Sequence, residues 1–237
     1  ILSYYTDYSD INKEWNSHFV GLLTFLIREG GDPFCPKWSR GKPIPSAFSS
    51  FLEKYTSHLS ESLMPSVTTF LEEAFRKWEV SRVKTDILND VIKNVPSRII
   101  EGGSSHLSSI KGLIVEKCLK IMKTYPALCN HMDAQGKTPL HRLMEKIAIN
   151  GLWERTPDLI AGTDELWDLM SGLITSRNVN IKDKNNVTPF TWILWWQNSV
   201  RDSKAPDSLK MRNLAKKIED VKKQFQEKGA IEEEGYL

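Results

Sequence analysis

Apolar residues recur at three- and four-residue intervals through most of the chain, whereas the alternation typical of half-buried strands is nearly absent. One stripe consists of Leu22, Leu23, Leu26 and Ile27, and a second runs from Leu166 to Ile174. This spacing predicts an all-α fold. The predicted helices cover about residues 12–29, 43–59, 66–79, 83–95, 108–124, 138–148, 163–176, 188–199 and 208–228.

The stretch DAQGKTPLH at residues 133–141 has the composition of a turn that leads into a helix. Gly136 has no β-carbon and can adopt the positive φ of a sharp turn. Thr138 can cap a helix, and Pro139 would then occupy the first helical position, where its missing N–H is not needed. We therefore expect the chain to turn at Gly136 and to enter a helix after Thr138.

The same pattern recurs in DKNNVTPFT at residues 183–191, which keeps Asp, Thr and Pro in register. Asn186 stands where the first copy has Gly136, and Asn is the next best residue for a left-handed conformation. A weaker third copy, GKPIPSAF, covers residues 41–48. The nonapeptide is therefore interpreted as a repeat signature.

These copies resemble the ankyrin repeat, a family with a period near 33 residues and a Thr-Pro-Leu-His core that follows a β-turn. The TPLHRL sequence at 138–143 is close to that core, and the resemblance is clearest over 108–199. It implies a solenoid of helical hairpins with degenerate and inserted repeats. The implied repeats cover about residues 12–35, 36–80, 81–130, 131–181 and 182–237.

The copies are more widely spaced than the family's period, so we expect inserted loops at 149–162 and 200–207 and a degenerate repeat within 60–107. One helix pair is too small to bury its own apolar face, so neighbouring pairs must stack into a continuous core. The turns and first helices are expected to line a concave side. Because the chain starts at Ile1 without a Met, we expect it to be part of a longer protein.

Composition narrows the function classes. The net charge of +2 gives no excess of positive charge that would indicate binding to nucleic acid or to an anionic membrane surface, so neither is expected as a partner. The longest apolar runs, at 19–27 and 192–196, are too short to span a membrane. Three cysteines argue against a disulfide framework and favour a reducing compartment, which indicates an intracellular location, cytoplasmic or nuclear.

Candidate chemical sites are weak. His141 could be a general base or a metal ligand, but in the ankyrin family the equivalent ring hydrogen-bonds the turn, and we expect that role here. Cys118, Cys129 and His131 lack the spacing of a zinc finger and a fourth ligand, so the cysteines are predicted to be buried and inert.

Two local motifs also favour structural roles. The Gly/Ser-rich segment 101–109 lacks the ending of a phosphate-binding loop and is predicted to be a connection. Asn186 begins a glycosylation pattern, but Pro189 follows it and Thr188 is needed as a cap, so we interpret the match as false. We predict no catalytic residues, no cofactor and no metal, and hence no enzyme activity.

The resemblance also implies a partner-binding surface. Carried over from the Thr-Pro positions, the family's contact positions are Ala134, Gln135, Lys137, Glu145 and Lys146 in one repeat and Lys184, Asn185, Val187, Trp195 and Trp196 in the next. The helix at 188–199 is apolar on nearly all sides, so its tryptophans either bind a partner or are covered by an inserted loop.

The expected function is a non-catalytic protein–protein interaction module, such as a scaffold, within a multidomain protein. One alternative is a structural spacer or regulatory domain that packs on a catalytic domain of its own parent chain. Another alternative is a helical enzyme domain whose site cannot be recognised in the sequence.

Overall fold

The computed structural model describes residues 13–35, 37–39, 42–44, 46–55, 61–81, 86–95, 99–100, 105–149, 164–201 and 209–232. Each predicted helix corresponds to a helix of the structure, which confirms the all-α class. The helices are α1 (Lys13–Arg28), α2 (Ala47–Tyr55), α3 (Met64–Val80), α4 (Ile87–Asn94), α5 (Ser105–Thr124), α6 (Pro139–Ile149), α7 (Asp164–Leu173), α8 (Pro189–Arg201) and α9 (Leu209–Glu227).

A small hairpin precedes α2 and corrects one prediction. Strands β1 (Lys37–Ser39) and β2 (Lys42–Ile44) pair antiparallel, with Trp38 opposite Pro43. Pro43 was expected to open a helix in the weak third copy, but it lies in β2, and α2 begins only at Ala47. Ser46 caps α2, since its Oγ accepts from the Ser49 N–H at 3.1 Å, so the helix start is set by Ser46.

Two other helix ends differ from the sequence prediction. Helix α7 ends at Leu173 rather than at residue 176, because the Asn178 side-chain amide donates to the Leu173 carbonyl at 2.7 Å and the chain turns there. Helix α5 begins at Ser105, so the second half of the segment 101–109, which was predicted to be a connection, is helical. His106 therefore lies in this helix.

The helices form two rows because each one packs against the helix two positions further along the chain. Helices α1, α3, α5, α7 and α9 make one row, and α2, α4, α6 and α8 make the other. Except for the exposed Leu22, the apolar stripes face the space between the rows, where large side chains such as Phe48, Phe70, Trp78 and Phe190 are fully buried. The core is therefore shared between successive helix pairs.

Glycines follow the first and last helices. Gly30 follows α1 with φ = 103°, and Gly229 follows α9 with φ = 84°. The Ala230 N–H donates to the Phe225 carbonyl at 2.9 Å, which satisfies one of the carbonyls left free at the end of α9.

Most of the predicted inserted loops, 149–162 and 200–207, lie outside the described residues; Ile149 belongs to α6, and residues 200–201 belong to α8. Among the described helices, none has the length and apolar character needed to cross a membrane.

Candidate interaction surface

The first copy of the nonapeptide folds into a hydrogen-bonded turn. The Asp133 N–H donates to the Lys137 carbonyl, and the Gly136 N–H donates to the Asp133 carbonyl, both at 2.9 Å. The Asp133 carboxylate accepts from the backbone N–H groups of Gln135 and Lys137 at 2.8 and 3.1 Å. Gly136 has φ = 74°, which confirms the predicted turn position.

The second copy repeats this geometry. The Asp183 N–H donates to the Val187 carbonyl at 3.0 Å, and the Asn186 N–H donates to the Asp183 carbonyl at 2.9 Å. The Asp183 carboxylate accepts from the N–H groups of Asn185 and Val187. Asn186 has φ = 62°, so it takes the left-handed conformation expected of the residue that replaces Gly136.

The two turns are bonded to each other. The Lys184 N–H donates to the Gln135 carbonyl at 3.2 Å, so the turns are joined directly through their backbones. His141 adds a second link: its Nδ1 accepts from the Thr138 N–H at 3.2 Å, which leaves Nε2 to donate to the Val187 carbonyl at 3.2 Å. Burial lowers the pKa of His141, so the ring is held neutral. The predicted structural role of His141 is thus confirmed.

The same arrangement occurs at α4 without a Thr-Pro pair. Asp86 caps α4, and Asn89, three residues later, donates from its side-chain amide to the Lys137 carbonyl at 3.3 Å. His141 likewise follows its cap by three residues, and each side chain bonds the carbonyl just before the next cap. The four helix starts of this row read SAFS at 46–49, DILN at 86–89, TPLH at 138–141 and TPFT at 188–191.

Sequence reasoning missed the first two of these starts because Ser and Asp replace Thr as the cap, and no proline follows. A search for a capping residue, two less polar residues and a hydrogen-bonding residue, rather than for Thr-Pro, could have found them.

In the row that contains α5, α7 and α9, the loop after each of these helices is hydrogen-bonded to the loop after the next one. The Asn178 side-chain amide donates to the Cys129 carbonyl at 2.9 Å, which connects the loops after α5 and α7. The Asn180 side chain donates to the Gly229 carbonyl at 2.8 Å and accepts from the Ile231 N–H at 2.9 Å, which connects the loops after α7 and α9. Hydrogen bonds therefore link the successive helix pairs at their turns and at their loops.

Polar side chains tie the start of α6 to its turn. Lys137 Nζ lies 2.5 Å from a Glu145 oxygen and 3.7 Å from an Asp183 oxygen, and the Lys137 side chain is only 8% exposed. The Arg142 guanidinium donates to both the Asp133 and the Glu145 carboxylates. Although burial alone would raise the pKa of Asp133, the hydrogen bonds from Arg142 and from two backbone N–H groups hold it below its ordinary value.

Several predicted contact residues therefore have internal roles. Lys137 is buried, and Glu145 is paired with it. Lys146 reaches the end of α4, where its ammonium donates to the carbonyls of Ile92, Lys93 and Val95. Their prediction as partner contacts rested on register alone, but their charges are satisfied within the fold.

The two adjacent tryptophans of α8 have different environments. Trp196 is fully buried and stacks on Trp167 with ring centroids 5.8 Å apart, so it is a core residue and not a partner contact. Trp195 is 43% exposed and meets Trp192 edge to face at 6.3 Å. The prediction of Trp196 as a surface contact is corrected because its position on the helix points toward α7.

Besides Ala134, whose side chain is a single methyl group, four predicted contact residues remain exposed: Gln135, Lys184, Asn185 and Trp195. The first three lie in the two bonded turns, and Trp195 lies on the helix that the second turn opens. We call these four residues the turn–tryptophan surface.

The cysteines fit the prediction of inert thiols. Cys118 and Cys129 are buried and free, and burial raises the pKa of Cys118 to about 12. His131 is directed to the Asp86 carboxylate at 2.9 Å. Within the part of the chain that the structure describes, no group of three His, Cys, Asp or Glu side chains could hold a metal ion.

Comparison with family models, with curated proteins and with solved structures gave no match for this chain.

Proposed function

We propose that this chain is an ankyrin-type repeat array that binds another protein and performs no catalysis itself. The observation that carries the proposal is the repeated turn and its bonds to the next copy. Lys184 bonds Gln135 through the backbone, and His141 and Asn89 each bond the carbonyl before the next cap. A fold built from stacked units of this kind presents an extended surface along one row of turns.

The proposed contact area is the turn–tryptophan surface. Its turns are held by several hydrogen bonds each and by a direct bond between them, so little backbone has to be ordered when a partner binds. Trp195 is the proposed anchor because tryptophan buries a large area at low entropic cost and is enriched at binding hot spots. We propose an intracellular partner, either a separate protein or another domain of the parent chain.

The experiment compares co-purification of cellular proteins with the wild-type chain, Trp195→Ala and Phe25→Ala. Phe25 is the matched control because it is an exposed aromatic residue on α1, at the other end of the array. We expect a partner to be recovered with the wild type and with Phe25→Ala but to be lost with Trp195→Ala.

The purified partner should then bind Trp195→Ala about 30-fold more weakly, which corresponds to about 2 kcal/mol of binding free energy. If every protein that binds the wild type also binds Trp195→Ala equally, the turn–tryptophan surface is not the contact site. A partner that is captured only as a domain of the same parent chain would favour the regulatory alternative.

A further inference from the structure

Trp192 and Trp195 lie about one turn apart on α8, and their rings form a corner. The ring centroids are 6.3 Å apart, and the two planes meet at 84°. Trp192 packs partly against the core, whereas Trp195 is 43% exposed. Two rings at this angle offer two apolar walls, so they fit a compact and rigid apolar group that fills the angle between them.

The polar groups of the turn–tryptophan surface are mainly hydrogen-bond donors. The Gln135 Oε1 atom accepts from the Arg142 guanidinium at 2.8 Å, which leaves the Nε2 hydrogens of Gln135 to donate. Asn185 and Lys184 are exposed and carry an amide and an ammonium. None of the four residues of this surface has a carboxylate. A partner that matches the surface therefore supplies acceptors and apolar rings.

Two kinds of group can contact a pair of exposed tryptophans. A cation is attracted to the ring faces, but the Asp133 and Glu145 carboxylates near the first turn are already paired with Arg142, and Lys184 would repel it. A proline-rich segment matches better. Proline rings are rigid and apolar, proline has no N–H, and the carbonyls of a polyproline II helix are left without internal partners.

We infer that the turn–tryptophan surface binds a proline-rich segment in the polyproline II conformation. A proline ring of the partner occupies the corner between Trp192 and Trp195, and carbonyls of the partner accept from the Gln135 and Asn185 amides. Such segments dock on aromatic surfaces because their conformation is formed before binding, so little entropy is lost. The inference rests on the proposed function, since it names the partner of the same surface.

The length of the segment follows from the geometry. Trp195 comes seven residues after the cap Thr188, which is about 10 Å along α8. A polyproline II chain advances about 3.1 Å per residue, so about six residues extend from the ring corner past the helix start to the turn. Lys184 lies in that turn, which favours an acidic residue at this end of the segment.

The experiment titrates the full chain with decaproline and follows the indole N–H signals by NMR. The signals of Trp192 and Trp195 should shift and saturate, with a dissociation constant on the order of 0.1–1 mM because the contact is small. The signal of Trp78, which is buried in α3, should not move. A Gly-Ser peptide of the same length and tetramethylammonium are the comparison probes, and neither should bind.

Variants test the rings and the amides separately. Decaproline should bind Trp195→Ala at least tenfold more weakly, whereas Phe25→Ala should bind it as the wild type does. Asn185→Ala should bind it about threefold more weakly, since one of several hydrogen bonds is lost. Asn213→Ala, which removes an exposed amide from α9, is the matched control and should not change binding.

Three results would overturn the inference: no binding of decaproline, equal binding of the Gly-Ser peptide, or equal binding of decaproline by Trp195→Ala. Binding of tetramethylammonium more tightly than decaproline would assign the ring corner to a cation and would also overturn it. If decaproline does not bind but a cellular partner is still lost with Trp195→Ala, the proposed function stands and only the proline-rich partner is excluded.

Discussion

The chain enters α6 and α8 through the same turn, yet the two helices have different surroundings. Fifty residues separate equivalent positions, so Arg142 and Glu145 of α6 correspond to Trp192 and Trp195 of α8. The first pair is hydrogen-bonded to its own turn. The second pair is aromatic, and Trp195 is exposed.

The difference shows which residues define the turn and which are free to vary. Both turns keep the Asp carboxylate, the left-handed residue and the Thr cap, and these groups make the backbone hydrogen bonds. The side chains that follow on the outer face of the helix can be a polar network or an aromatic pair without altering the turn. Variation at such positions is what allows one architecture to present different surfaces.

The largest effect is expected from Trp196, the residue of α8 that corresponds to Lys146 of α6. Trp196→Ala should lower the free energy of unfolding by about 3–5 kcal/mol, because it removes the ring that stacks on Trp167 and leaves a cavity. Chemical denaturation measures this change. Trp195→Ala is the matched control and should cost less than about 1 kcal/mol; equal losses for the two variants would contradict the buried and exposed assignments.

The tryptophans also show what the sequence could not predict. The turn residues were predictable because Gly136, Asn186, Thr138 and His141 act through local bonds or through a recognisable motif. The exposure of two adjacent tryptophans on a helix that is apolar all round depends on which neighbour covers each ring. That neighbour, Trp167, is distant in sequence, and no periodicity within α8 identifies it.

Charged residues gave the same kind of error. Lys137 and Lys146 were predicted to be surface contacts from their register after the Thr-Pro pair alone. Lys137 pairs with Glu145, eight residues later, and with Asp183, whereas Lys146 bonds the end of α4. Asp183 and the end of α4 lie 46 or more residues away from these lysines and become visible only in the fold. The caps Ser46 and Asp86 were missed because the structure preserves the capping bond and not the residue type.

The next largest effect concerns His141, which joins the two compared turns. His141→Ala leaves the buried Thr138 N–H and the Val187 carbonyl without their partner, so it should cost about 2–3 kcal/mol of stability. Thr191 occupies the equivalent place in the second copy, and among the described residues its hydroxyl bonds only that of its own cap, Thr188. Thr191→Ala should therefore cost less than about 1 kcal/mol. A similar loss in both variants would show that the link to Val187 contributes little.

The same residue has a pH signature. The pKa of His141 is lowered in the folded state, so below about pH 6.5 the unfolded chain binds a proton that the folded chain resists. Its contribution is present above that pH and is lost as the pH falls. His141→Gln should therefore reduce the drop in unfolding free energy between pH 7.5 and pH 5, measured by urea denaturation at each pH.

Asp90 extends the comparison to α4, where it stands four residues after its cap, as Arg142 and Trp192 do. Burial, reinforced by the charge of Asp86, raises the pKa of Asp90 to about 6. Between about pH 4 and 6 the folded chain therefore binds the proton more tightly than the unfolded chain does, and stability falls as the carboxyl ionises. Asp90→Asn should stabilise the fold by on the order of 2 kcal/mol at pH 7.5 and by little at pH 4.

The measurement is the midpoint of urea unfolding at both pH values. Lys93→Gln, an exposed change at the end of the same helix, is the control, because it should produce no comparable gain at pH 7.5. If Asp90→Asn instead lowered the free energy of unfolding, the Asp90 carboxylate would have a favourable partner. Asp90 would then no longer differ from Arg142 and Glu145 of α6, whose charges are paired.

The smallest expected effects are the losses of stability when the helix caps Thr138 and Thr188 are removed. Thr138→Ala and Thr188→Ala should each cost on the order of 1 kcal/mol, since each removes an acceptor for a helix N–H. The loss should be larger for Thr138, whose Oγ1 also bonds the buried His141 ring at 2.8 Å. Thr188 Oγ1 bonds the half-buried Thr191 hydroxyl at 3.0 Å, which can turn to water when the cap is removed.

Thermal melts of both variants, and of Thr138→Ala combined with His141→Ala, measure the difference. If the double variant loses the sum of the single losses, the cap and the ring act independently; a smaller loss would show that they act as one unit, as their shared hydrogen bond implies.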